Sequence, residues 1–80
     1  MTLNDILDLY PEREFLKADG FDDAVIGFDP NTDRLIYDRY EMVQILIRDD
    51  GMSEEEAIEY LAYNTWGTYF GEQTPIYIEM

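Results

Sequence analysis

Apolar residues recur at helical spacing in three stretches of this chain and cluster in short β-prone runs in three others. The order of the two patterns predicts the fold. Leu3, Ile6, Leu7 and Tyr10 repeat at three- and four-residue intervals behind Thr2, a capping hydroxyl, with Asp5 at the third helical position. Pro11 either ends this helix or opens a second turn, in which Phe15, Leu16 and Ala18 would prolong the stripe. Asp19-Gly20 closes the helical reading. Residues 24–28 (AVIGF) and 35–37 (LIY) then form two β-prone runs around the turn sequence Asp29-Pro30-Asn31-Thr32-Asp33, which predicts a hairpin. Gly27 within the first run suits a bulge or the close approach of a packed helix.

Asp38 is placed to cap the next helix, in which Tyr40, Val43, Leu46 and Ile47 define an apolar face widened by Met42 and Ile45. Gly51 can supply a left-handed stop, and Ser53 with Glu56 three residues on is a capping box that starts a further helix. Ala57, Ile58, Leu61 and Ala62 line one side of that helix, beside an aromatic stripe of Tyr60, Tyr63 and Trp66, and Asn64 or Gly67 ends it. Residues 74–78 (TPIYI) read as a last strand, with Pro75 at its start, where a missing donor is tolerated. The expected fold is α+β: order α-β-β-α-α-β, a small three-stranded, mainly antiparallel sheet, and helices packed on one face.

Eighty residues build one domain with one modest core, which leaves room for a homodimer to add stability. Nineteen acidic residues against five basic ones give a net charge of −14, a field that repels phosphate backbones and anionic lipid, so direct nucleic-acid or membrane binding is not expected. A hydrophobic content of 46% and an aromatic content of 15% are nevertheless enough to drive collapse. No cysteine is present, and residues 1–14 carry neither a basic leader region nor a long apolar run, which fits a reducing, cytoplasmic setting.

The candidate chemistry is sparse. Asp29, Asn31 and Asp33 occupy the first, third and fifth places of a calcium loop, but Arg34 stands where the turn glycine belongs and Tyr40 where the bidentate glutamate belongs. The helix pair around Gly51 invites comparison with DNA-binding helix-turn-helix units, yet the second helix begins Glu54-Glu55-Glu56 and continues to Glu59, which phosphates would repel. With no histidine, no cysteine and a single serine placed as a cap, no nucleophile and base are paired, and neither catalysis nor a cofactor is expected. A carboxylate metal site remains one alternative function.

Two surfaces stay open for binding. Asp49, Asp50, Glu54, Glu55, Glu56 and Glu59 either keep the domain soluble or imitate the charges of a duplex, as a nucleic-acid mimic inhibiting a DNA- or RNA-binding enzyme would. Residues 60–70 hold five of the twelve aromatic residues, of which about three are expected in the core, with Trp66 and Tyr69 as exposed anchors. Capping and packing leave Glu54, Glu55, Glu59, Trp66, Tyr69 and Glu72 as the candidate partner-binding residues.

The run from Ala57 to Asn64, continuing Gly67-Thr68-Tyr69-Phe70-Gly71-Glu72-Gln73-Thr74-Pro75-Ile76, resembles the tail of a group of small uncharacterised bacteriophage and prophage proteins. The segment Asp50-Gly51-Met52-Ser53-Glu54-Glu55-Glu56-Ala57 is similar to the same group's helix-turn-helix opening, and the resemblance spans about residues 20–78. It implies a phage or prophage origin, expression in a bacterial cytoplasm and an accessory role on a host or phage protein. It transfers no catalytic residue.

Overall fold

The computed structural model describes residues 1–79, and its elements follow from local signals. Helix α1 (Leu3–Leu9) starts at a capping box: the Thr2 hydroxyl accepts the Asp5 N–H at 3.2 Å, and the Asp5 carboxylate accepts the Thr2 N–H at 3.0 Å. Pro11 ends it. The second helical turn entertained beyond that proline does not form, and the chain continues irregularly to a 3₁₀ turn at Asp22–Ala24. Strand β1 (Val25–Asp29) pairs antiparallel with β2 (Arg34–Asp38), and Asp38 caps α2 (Arg39–Asp50) by accepting the Tyr40 N–H at 2.9 Å. Gly51 turns the chain at φ 68°, and the reciprocal Ser53–Glu56 box opens α3 (Glu54–Leu61). Strand β3 (Ile76–Ile78) completes the expected α-β-β-α-α-β order.

The sheet is mixed rather than mainly antiparallel. Its order is β1-β2-β3, with β3 parallel to β2 in the register Ile36↔Ile76, Tyr37↔Tyr77 and Asp38↔Ile78. The α2–α3 pair is the reason: a long helical connection carries the chain back to the end of the sheet where β2 began, which only a parallel strand requires. Arg34 at the start of β2 fastens this return by donating from Nε to the Thr74 carbonyl.

A bulge sets which side chains face the helices. The β1–β2 register shifts between Val25 and Gly27, so Val25 lies opposite Tyr37 and Phe28 opposite Leu35. Strict alternation would send residues 25 and 28 to opposite faces; the extra residue puts both on the core side. Leu35 and Tyr37 are fully buried there, together with Ile6, Met42 and Leu61. Phe28 meets Tyr10 and Phe15 edge-on, at ring separations of 5.0 and 5.9 Å. Gly27 borders the bulge, and open space surrounds it where a Cβ would stand, so no helix approaches it closely.

Helix faces depart from the expected ones by one position. In α2 the buried residues are Met42, Val43, Ile45 and Leu46, whereas Tyr40 at the first turn is exposed and Ile47 half-buried. In α3 only Ala57 and Leu61 are buried; Ile58 faces outward, as does Ala62 just beyond the helix. The short α3 meets the rest of the fold along a narrow stripe, too narrow to cover four apolar positions.

Candidate functional site

The buried Ala57–Leu61 stripe, one turn apart on α3, divides the exposed part of that helix into two flanks. Glu54 and Ile58 lie on the flank facing α2, where they border a shallow groove with Tyr40, Val43, Gln44 and Trp66. Glu56, Glu59, Tyr60 and Tyr63 lie on the other, beside Met52 and Asn64. Beyond Leu61 the helix widens into a π-helical turn, Ala62–Trp66, in which the Asn64 side chain donates to the Tyr60 carbonyl at 2.9 Å. Widened turns of this kind are frequent at functional sites, because they re-aim side chains without ending the helix.

Trp66 is half-buried, not the exposed anchor the sequence suggested. Its indole N–H points at the Met42 sulfur at 3.5 Å, and the Arg39 guanidinium lies over its ring at 4.8 Å. The other four aromatics of residues 60–70 are exposed: Tyr63 at 88%, Tyr69 at 76%, Phe70 at 61% and Tyr60 at 44%. None of the five is fully buried, against the expectation of about three. The core is filled instead from the strands and α2, with Tyr37 and Leu35 at its centre.

A hydroxyl holds the loop that presents Tyr69 and Phe70. Buried Thr74 accepts the Phe70 N–H at 2.7 Å and donates to the Gly71 carbonyl at 2.7 Å, around a glycine at φ 96°. Phe70 and Tyr60 border a hollow with Leu16, Phe21, Pro75 and Tyr77. Tyr60 and Asn64 border both this hollow and the Tyr63 flank, so the apolar surface is continuous from Leu16 and Phe70 across α3 to Tyr63. Asp19, Glu56 and Glu59 rim it, with Lys17 as the single cation at its edge.

The six candidate residues are therefore not one site. Glu54 and Trp66 share the α2–α3 groove; Glu59 borders the aromatic ledge; Tyr69 and Glu72 face the β1–β2 turn near Asn31 and Asp33; Glu55 points to solvent. The ledge residues Tyr60, Tyr63 and Phe70 were missed as a group. Helical spacing gave no signal for them, since Tyr60 stands three residues from buried Ala57; their exposure follows from the narrow face that α3 buries.

The carboxylates of the hairpin turn are engaged locally. Asp29 is used by its own turn, accepting the Asn31 N–H at 2.9 Å and the Thr32 hydroxyl at 3.0 Å, while Asp33 pairs with Arg13 at 2.9 Å. Among the described residues no group of three or more acidic side chains is placed to hold a metal ion. Asp5 and Asp49 hold their carboxyls below the usual range, Asp5 through its hydrogen bonds to Thr2 and Asp49 through its hydrogen bond to Arg48. No helix among the described residues is long and apolar enough to cross a membrane.

No match to the chain was found among family models, curated proteins or solved structures. The site's own geometry is thus what bears on function.

Proposed function

We propose that this chain is a small, non-catalytic protein-binding module whose partner docks on the aromatic ledge. The observation that carries the reading is the exposure of Tyr60, Tyr63 and Phe70 on one continuous surface. Aromatic side chains combine large apolar area with few rotatable bonds, which makes them efficient anchors, and a surface of this kind left in water points to a partner. The sole serine, Ser53, has its hydroxyl occupied by the helix cap, which supports a role without nucleophilic chemistry. An accessory role in a bacterial cytoplasm, on a host or phage protein, belongs to the same reading and rests on the sequence resemblance over about residues 20–78 alone.

The test is site-specific photo-crosslinking in bacterial cells, with a photoreactive phenylalanine analogue at position 63, 69 or 12. A discrete adduct at 63, absent from the control at exposed Glu12, is expected. Identical patterns at all three positions, or no adduct anywhere, would overturn the reading.

A second reading, the nucleic-acid mimic, draws on a different observation. Two ion pairs, Arg13–Asp33 and Arg48–Asp49, occupy two of the nineteen carboxylates and leave seventeen unpaired among the described residues. A mimic would compete with duplex DNA for a nucleic-acid-binding enzyme, and changing Glu54, Glu55, Glu56 and Glu59 to glutamine would abolish the competition. The E56Q change keeps the capping box, so folding is preserved. Competition unaltered by all four changes removes this surface from the reading.

A further inference from the structure

Resting on the protein-binding reading, the geometry points to the chemistry of the partner. We propose that the ledge receives a basic segment carrying an apolar anchor beside arginine: the anchor enters the Tyr60–Phe70–Leu16 hollow, and a guanidinium lies across Tyr63 between Glu56 and Glu59.

Three observations converge on that occupant. The first is the composition of the surface, an apolar hollow open to solvent and adjoining a flank where Tyr60 and Tyr63 stand with two glutamates and the Met52 thioether. A ring face and a carboxylate together suit a planar cation, which can stack and hydrogen-bond at once. The second is the fold's own stacking of guanidinium groups on rings, in one case with a carboxylate beside it. Arg13 lies 4.7 Å from the centre of the Tyr10 ring while pairing with Asp33, and Arg39 lies 4.8 Å from that of Trp66. Among the described residues no cation stands over Tyr63, which is the most exposed of the large hydrophobic side chains.

The third is charge. At −14 the chain repels anionic peptides, and a second copy would set the same acidic rim against itself. A cationic partner gains steering from the whole field, and its guanidinium gains local contacts at Glu56 and Glu59. Lys17 at the far edge of the hollow biases the cation toward the Tyr63 end.

The probe is a short dye-labelled peptide of arginine and leucine, titrated with the full chain by fluorescence anisotropy beside a control peptide with every leucine changed to serine. The arginine–leucine peptide is expected to bind more tightly than the control. Tyr63→Ala and Phe70→Ala should each weaken binding by about fivefold or more, the loss expected of an interface anchor. Glu59→Gln should weaken it and flatten its salt dependence, whereas Tyr40→Ala, in the separate α2–α3 groove, should leave it unchanged. Tyr63 and Phe70 are exposed, so both variants fold, which circular dichroism checks.

Equal binding of both peptides, indifference to the two aromatic substitutions, or no binding overturns the proposal. So does a concentration-dependent dimer, seen in sedimentation and broken by the same two substitutions, since it assigns the ledge to self-association. If the peptide fails while the crosslink at position 63 persists, only the cationic occupant falls and the protein-binding reading stands. Loss of both removes both.

Discussion

Tyr37 joins three parts of the molecule through one side chain. Its ring is fully buried and lies 5.7 Å from that of Tyr77, and its hydroxyl accepts the Ala18 N–H at 2.9 Å, tying the irregular segment after α1 to the sheet. Burial pushes its pKa up to about 12 from 10.0, against the opposing pull of the Ala18 hydrogen bond, and burial raises Tyr77 as well. The folded chain therefore keeps the Tyr37 proton to higher pH than the unfolded chain does. The contribution of Tyr37 to stability is fully present below pH 10 and is lost as pH rises from 10 toward 12, by on the order of 2 kcal/mol. Urea unfolding across about pH 9 to 12 measures that slope. Tyr37→Phe should cost about 1 kcal/mol at neutral pH, because Ala18 loses its acceptor, and should leave only the shallower alkaline loss due to Tyr77. An unchanged slope in the variant would assign the alkaline loss elsewhere.

At the scale of elements, two glycines behave differently. Gly51 sits at φ 68° and its N–H donates to the Leu46 carbonyl at the end of α2. A side chain is strained in that conformation, so Gly51→Ala should destabilise by about 1–2 kcal/mol although nothing crowds the site. Gly27 lies at the β1 bulge without positive φ and with open space around it, so Gly27→Ala should change stability by less than about 0.5 kcal/mol. Equilibrium urea midpoints of the two variants decide the matter, and equal losses would refute the separation. The same contrast explains what the sequence made legible here. Thr2 with Asp5, Asp38, Gly51 and Ser53 with Glu56 act on neighbours within six residues, so the helix ends could be read directly. The bulge depends on which β2 residue stands opposite, and the exposure of Ile58 depends on how much of α3 its neighbours cover.

The whole molecule is elongated, 38 × 23 × 20 Å, and carries its charge with little internal neutralisation. Of the five cations, Arg13 and Arg48 pair with carboxylates, Arg34 is spent on a backbone carbonyl and Arg39 on Trp66. Repulsion among the remaining carboxylates works against the folded state and is screened within about 10 Å at 0.1 M salt. Raising sodium chloride from about 20 mM to 500 mM should therefore raise the melting temperature by several degrees, as a gain of about 1 kcal/mol gives in a domain of this size. A melting temperature that stays flat or falls with salt would mean the charges are arranged favourably rather than merely tolerated.

The amino-acid sequence by itself determined the element order, the caps, the hairpin turn, the sign and size of the electrostatic field and the poverty of catalytic groups, because each follows from composition or from residues a few positions apart. Tertiary structure decided the rest. The parallel pairing of β3 required the α2–α3 crossover, and the filling of the core by Tyr37 and Leu35 left Tyr60, Tyr63 and Phe70 outside it. The six candidate residues fell into separate places because proximity along a chain of mixed helix and loop is not proximity on its surface. Which aromatics are free to bind a partner is settled only after the core has taken what it needs, and that competition is among residues distant in sequence.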